Sequence, residues 1–137
     1  MKVQGYLFLE GRCAEALEFY KKALGAEVGM VMKYKDAPVP APDGKLPAGS
    51  ENKVMHAEFK VGETTILASD GMCSGTSKFD GFALTVIVKD PAEAEKTFAG
   101  LGEGGMVVQG LMKTFFSPAF GMVKDKFGVM WMVYAAS

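Results

Sequence analysis

The chain has 137 residues, with 15 Lys and Arg set against 16 Asp and Glu for a formal net charge of −1. The lysines are scattered and form no stripe that could neutralise a phosphate backbone, which excludes nucleic acid as an expected partner. A 49% hydrophobic fraction with 23% charged residues is that of a folded chain, and no window reaches the ~20 apolar residues of a membrane span, so no membrane partner is expected.

Taken in order, Val3 to Leu9 reads as a strand that Gly11-Arg12-Cys13 breaks. Met1-Lys2-Val3-Gln4-Gly5 lacks the charged, apolar and small-residue regions of a signal peptide, so a cytoplasmic location is expected. Ala16, Phe19, Tyr20, Ala23 and Leu24 recur at helical spacing, and Gly25 stops the helix. Val28 to Tyr34 is a strand. Asp36 to Ser50 holds Pro38, Pro40, Pro42 and Pro47, which leave few backbone donors for a ladder, so an extended loop and candidate lid is expected. Val54 to Val61 and Thr64 to Ser69 form a hairpin about Gly62-Glu63. Asp70 to Asp80 is rich in Gly and Ser and reads as a linker.

The same order then begins again. Phe82 to Val88 is a strand, and Asp90-Pro91-Ala92-Glu93 opens a helix with an N-cap, a Pro at its first position and a capping-box Glu. That helix runs to about Leu101, followed by strands at Met106 to Met112, Phe120 to Asp125 and Val129 to Tyr134. Ala14-Glu15-Ala16 and Tyr20 in the first helix answer Ala92-Glu93-Ala94 and Phe98 in the second. The expected fold class is α+β: two βαβββ modules, about 1–70 and 81–137 with a linker at about 71–80, making one domain over 1–137. Each sheet would be covered by a helix on one face only, so the opposite faces are expected to form a cleft.

Cys13 and Cys73 lack CxxC spacing and read as free thiols, with neither a structural zinc nor a redox pair indicated. Ten methionines suit irregular apolar surfaces that adapt to a guest.

Several segments resemble one branch of the vicinal-oxygen-chelate superfamily, which includes the glyoxalases, bleomycin-resistance proteins and dioxygenases. Gln4-Gly5-Tyr6-Leu7-Phe8 with Glu15 to Ala26, then Val54-Met55-His56-Ala57-Glu58-Phe59, and the closing stretch Gly121 to Val133 are similar to the PhnB-like proteins. That branch is often labelled 3-demethylubiquinone-9 3-methyltransferase, although no glycine-rich strand-to-helix turn of the adenosylmethionine-binding kind follows any strand here. The resemblance implies a homodimer. In the superfamily's enzymes a His or Glu on the first and last strands of each module holds one divalent metal, and the matching places here are Gly5, about Leu67, Gly81 and Met132. None of these offers a side-chain lone pair suited to that ion, so no metal site and no cofactor are expected.

What remains is a lining. In this register Leu67, Ser69, Ala83, Thr85, Met130, Met132 and Tyr134 share one face, and Phe115 with Phe116 forms a flap before Ser117-Pro118. Leu67, Ser69, Thr85, Phe115, Met130, Met132 and Tyr134 are the expected ligand-binding residues for a small apolar or mixed-polarity molecule. The alternative expectation is a metal-dependent lyase, isomerase or dioxygenase-like enzyme with a displaced site. Its catalytic residues would be His56, the only histidine, and Glu58, which strand alternation puts on the same face.

Overall fold

The computed structural model describes residues 1–37 and 46–137. Residues 38–45 of the expected Pro-rich loop therefore lie outside the described residues. The chain divides into two compact units, Met1–Ser77 and Lys78–Ser137.

The first unit consists of β1 (Tyr6–Phe8), α1 (Cys13–Leu24), β2 (Glu27–Lys33), β3 (Val54–Val61) and β4 (Thr64–Ser69). Short 3-10 turns at Tyr34–Asp36 and Ser50–Asn52 flank the Pro-rich stretch. The four strands lie in the order β1-β4-β3-β2. β1 runs parallel to β4, with Tyr6 opposite Leu67, and β3 and β4 form the expected hairpin. β1 is shorter than the expected Val3–Leu9. Val3 is exposed, and Gln4 meets β4 through its side chain, which donates to the Thr65 carbonyl at 3.3 Å.

One face of this sheet is apolar and buried: Leu7, Ala57, Phe59, Ile66 and Ala68. Helix α1 presents Ala16, Leu17 and Tyr20 to the core, and the Tyr20 ring stacks on Phe59 at 5.3 Å. At its C-terminal end Gly25 adopts φ +66°, a left-handed conformation that costs a glycine little, and its N–H bonds the Lys21 carbonyl at 3.0 Å. The N-terminal end lacks a local cap, since Arg12 makes no capping bond. A carboxylate from the end of β4 replaces it: Asp70 Oδ1 accepts from Cys13 N at 2.7 Å and Gly11 N at 2.9 Å, while Oδ2 accepts from Val54 N at 2.8 Å. Asp70, read from sequence as the first linker residue, thus ties the entry of α1 to the start of β3.

The second unit repeats the plan with β5 (Leu84–Val88), α2 (Pro91–Gly102), β6 (Met106–Met112), β7 (Phe120–Lys124) and β8 (Met130–Ala135), in the order β5-β8-β7-β6. Asp90 caps α2 by accepting from Glu93 N at 2.9 Å. Glu93 reaches back one residue further than a capping box requires, accepting from Lys89 N at 3.2 Å. Under α2 lie Val123, Trp131, Val133 and Ala135, all buried. Gly121 must be small there, because a Cβ would stand 2.7 Å from Phe98 Cε1 of the helix. Asp125 plays the part of Asp70: its carboxylate accepts from Phe127 N at 2.9 Å, Val129 N at 3.0 Å and Trp131 Nε1 at 2.9 Å. The architecture is α+β, two similar modules of one helix on one four-stranded sheet.

Candidate functional site

Alternation along each strand sends every second side chain to the face that the helix does not cover. In the first sheet that face carries Tyr6 and Phe8 from β1, Leu67 and Ser69 from β4, and His56 and Glu58 from β3. Glu58 stands opposite Leu67, which stands opposite Tyr6. His56 and Glu58 therefore share a face, as alternation required, and both are half-buried.

The partner of His56 is Tyr6, a residue the sequence reading passed over. The Tyr6 hydroxyl lies 3.1 Å from His56 Nδ1, and their rings are 5.7 Å apart. The Phe8 ring sits 4.8 Å from Tyr6 on the other side and is about half exposed (52%). Phe8, Tyr6 and His56 thus form a row of three rings. Ser69, opposite Phe8 on β4, is buried, and its hydroxyl accepts from Gly71 N at 3.0 Å. The signal that could have found the row was two aromatics at i and i+2 on the first strand. Placing them near His56 needs the β1-β4-β3 order.

In the second sheet the corresponding face carries Thr85 and Ile87 from β5, Met130, Met132 and Tyr134 from β8, and Phe120 and Met122 from β7, with Thr85 opposite Met132 and Met132 opposite Met122. Thr85 Oγ1 reaches the Met132 sulfur at 3.9 Å. Of the expected flap, Phe116 packs edge-on against Phe120 (5.1 Å) and Tyr134 (6.2 Å). Phe115 is fully exposed and touches Phe116 alone among the described rings. Phe116 is thus the better-placed member of the pair, since its ring continues the Tyr134 surface.

The superfamily's metal can be tested against these residues. Leu67 and Met132 lie on the uncovered faces, where the side chains opposite them on the first strands are those of Tyr6 and Thr85. A leucine, a thioether, a phenol and an alcohol do not make a donor set for a divalent cation that seeks imidazole or carboxylate. Among the described residues no group of three or more His, Cys, Asp or Glu is placed to hold a metal. The residues present do not fit the ion.

The thiols are quiet. Burial pushes the Cys13 thiol from its ordinary 9.0 up to about 12, and Asp70 adds to the shift. Cys73, at φ +56° beside Asp70, Glu10 and Lys53, is raised chiefly by burial and then by the two carboxylates, while a hydrogen bond with Ser50 and the charge of Lys53 pull it back. A nucleophilic cysteine needs the opposite environment. At pH 8 a thiol reagent is expected to leave Cys13 untouched and to modify Cys73 more slowly than it does free glutathione, with both reacting once the chain is unfolded. Because the folded state holds Cys13 protonated, its stabilising contribution is complete below pH 9.0 and is lost as pH rises towards about 12. A hollow of about 240 Å³ lies against Tyr34, Pro47, Ser50 and Glu51, away from the residues expected to bind a ligand.

Comparison with known proteins gives a consistent result. The family model for 3-demethylubiquinone-9 3-methyltransferase matches residues 1–134. Protein YjdN of Escherichia coli K12 is 31% identical over 138 residues, covering 97% of this chain and 94% of that protein. Among solved structures, protein PA1353 from Pseudomonas aeruginosa aligns with a TM-score of 0.85 and 34% identity, covering 99% of this chain and 98% of that one. A PhnB protein from Bacillus cereus aligns with a TM-score of 0.80 and 25% identity over 99% of this chain and 100% of that one. A glyoxalase/bleomycin resistance protein/dioxygenase family enzyme from Burkholderia phytofirmans, 12% identical with a TM-score of 0.61 over 98% and 96% of the two chains, shares the fold. The chain belongs to the 3-demethylubiquinone-9 3-methyltransferase family, the PhnB-like proteins.

Proposed function

We propose that the protein binds a small, largely apolar molecule on the sheet faces that its helices leave uncovered. The observation that carries this reading is the composition of those faces: half-buried Leu67, Met122, Met130 and Met132 beside the exposed rings of Phe8 and Phe116, with the polar groups among them limited to a few hydroxyls, His56, Glu58 and Lys124. Apolar walls with sparse polar groups are the usual make-up of a small-molecule site, and thioethers adapt to irregular guests. Leu67, Ser69, Thr85, Met130, Met132 and Tyr134 are the contact residues, with Phe116 supporting Tyr134 and Phe115 at the edge. The homodimer implied by the superfamily forms part of the same proposal.

Methyl transfer finds no support in the fold. Neither sheet is the parallel array flanked by helices that the adenosylmethionine loop occupies, and each of the two helices packs on a mostly antiparallel four-stranded sheet. Among the described residues, no third His, Cys, Asp or Glu joins His56 and Glu58 for the metal-dependent alternative. The binding reading is tested by thermal melting with neutral aromatic compounds. Ligand at 100 times its dissociation constant stabilises a native state by about 2.7 kcal/mol, which for a chain of this size raises the midpoint by roughly 8–15 °C. A midpoint that stays fixed across such a series would count against the reading.

A further inference from the structure

The hydrogen-bonded Tyr6–His56 pair points to an activity beyond binding: we propose that it catalyses keto–enol interconversion of neutral β-dicarbonyl compounds without a metal. Three observations converge. The Tyr6 hydroxyl and His56 Nδ1 are 3.1 Å apart, so one proton is shared between a phenol and an imidazole. His56 Nε2 makes no hydrogen bond among the described residues, and both rings are half-buried on the uncovered face of the first sheet. Phe8, whose half-exposed ring lies tilted 4.8 Å from that of Tyr6, and Leu67, opposite Tyr6, offer an apolar seat for the rest of the molecule.

Such a pair is an acid and a base in one unit. In the tautomer with the proton on Nδ1, that N–H donates to the Tyr6 oxygen, the Tyr6 O–H is free to donate outward, and Nε2 carries a lone pair. With a β-dicarbonyl seated so that its central carbon meets Nε2 and one carbonyl oxygen meets Tyr6, the C–H bond breaks and its proton passes to Nε2. The released electron pair forms the C=C bond, and the carbonyl π pair moves to oxygen, which takes the Tyr6 proton. The Nδ1 proton then moves to the Tyr6 oxygen. The products are the enol and the Nε2–H tautomer, and that tautomer returns the proton to carbon in the reverse direction, so no oxidant, reductant or further reactant is needed. Imidazole is the side chain best suited to proton transfer near neutral pH, and a carbon flanked by two carbonyls is acidic enough for it. Glu58, on the same face, selects against an anionic substrate and favours a neutral one.

The test is deuterium incorporation at the central carbon of benzoylacetone in D₂O, followed by proton NMR, for the full chain and for Tyr6→Phe and His56→Gln. The proposal expects the wild-type chain to exceed an equal concentration of free imidazole by at least about 100-fold. It also expects each variant with wild-type circular dichroism and melting to fall to the imidazole rate, and either variant suffices if the other does not fold. A wild-type rate equal to that of imidazole, or a folded variant that keeps the acceleration, would overturn it. Probe binding on the same face, measured separately, reports on the binder reading whichever way the exchange result falls.

Discussion

Asp70→Ala is expected to remove about 4 kcal/mol of folding stability, the largest single loss expected in the first module. The side chain is 1% exposed and accepts three backbone N–H bonds, from Gly11, Cys13 and Val54. Removing it leaves three donors facing a cavity too small for full hydration, and each buried donor without a partner costs about 1–3 kcal/mol. Helix α1 also loses the anion that accepts its first N–H groups, because Arg12 makes no side-chain capping bond. Asp70→Asn keeps one acceptor oxygen but turns an amide N–H₂ towards donors, so a loss of about 2 kcal/mol is expected. Urea denaturation followed by circular dichroism checks both. A loss below 1 kcal/mol for the alanine variant would mean that solvent or another group satisfies the three donors.

Asp125→Ala is expected to cost about 3–4 kcal/mol in the second module for the same reason. Its carboxylate is 3% exposed and holds Phe127 N, Val129 N and the Trp131 indole N–H, which lies deep under α2. This side chain holds the tight turn between β7 and β8 together with two backbone bonds, Asp125 N to Val129 O and Gly128 N to Asp125 O. Here a second variant separates the hydrogen bond from packing. In Trp131→Phe the indole donor is gone, so adding Asp125→Ala to it should cost about 1 kcal/mol less than it does in the wild-type chain, a coupling that a double-mutant cycle in urea measures directly. Strict additivity would show that the indole bond contributes nothing to stability.

Both hubs show what the sequence withheld. Asp70 stands in Asp70-Gly71-Met72-Cys73-Ser74-Gly75, whose composition says turn, and nothing local indicates that donors from residues 11, 13 and 54 converge on it. Asp125 was partly legible: an Asp two and four residues before its acceptor-bound N–H groups is a local turn pattern, but its bond to the Trp131 indole depends on β7 and β8 being paired. The elements themselves were well written in the pattern. The β3–β4 hairpin and β6 fall at their expected bounds, and the two helices begin 78 residues apart, at Cys13 and Pro91. The strands that open each module were overextended, because Val3 and Phe82 are apolar yet lie outside the ladders and are exposed.

The candidate site was half legible for a related reason. Alternation correctly put His56 with Glu58, since period two is a property of the strand alone. The proton partner of His56 comes from β1, fifty residues away, and reaches it across β4. The order β1-β4-β3 that makes this possible is a property of the module. That Tyr6 and Thr85 are the strand partners of Leu67 and Met132 depends on register, which sequence landmarks do not fix.

The most direct measurement is a fluorescence titration with N-phenyl-1-naphthylamine, a neutral aromatic dye whose emission rises on leaving water, carried out on the wild-type chain and on Leu67→Asp and Met132→Asp. Saturable binding with a dissociation constant of roughly 1–100 μM, weakened at least about tenfold by a charge on the face that holds the dye, is the expected result and corresponds to about 1.4 kcal/mol or more for that substitution. No saturable rise in emission, or a rise that both folded variants retain unchanged, would contradict a ligand-binding role for these faces.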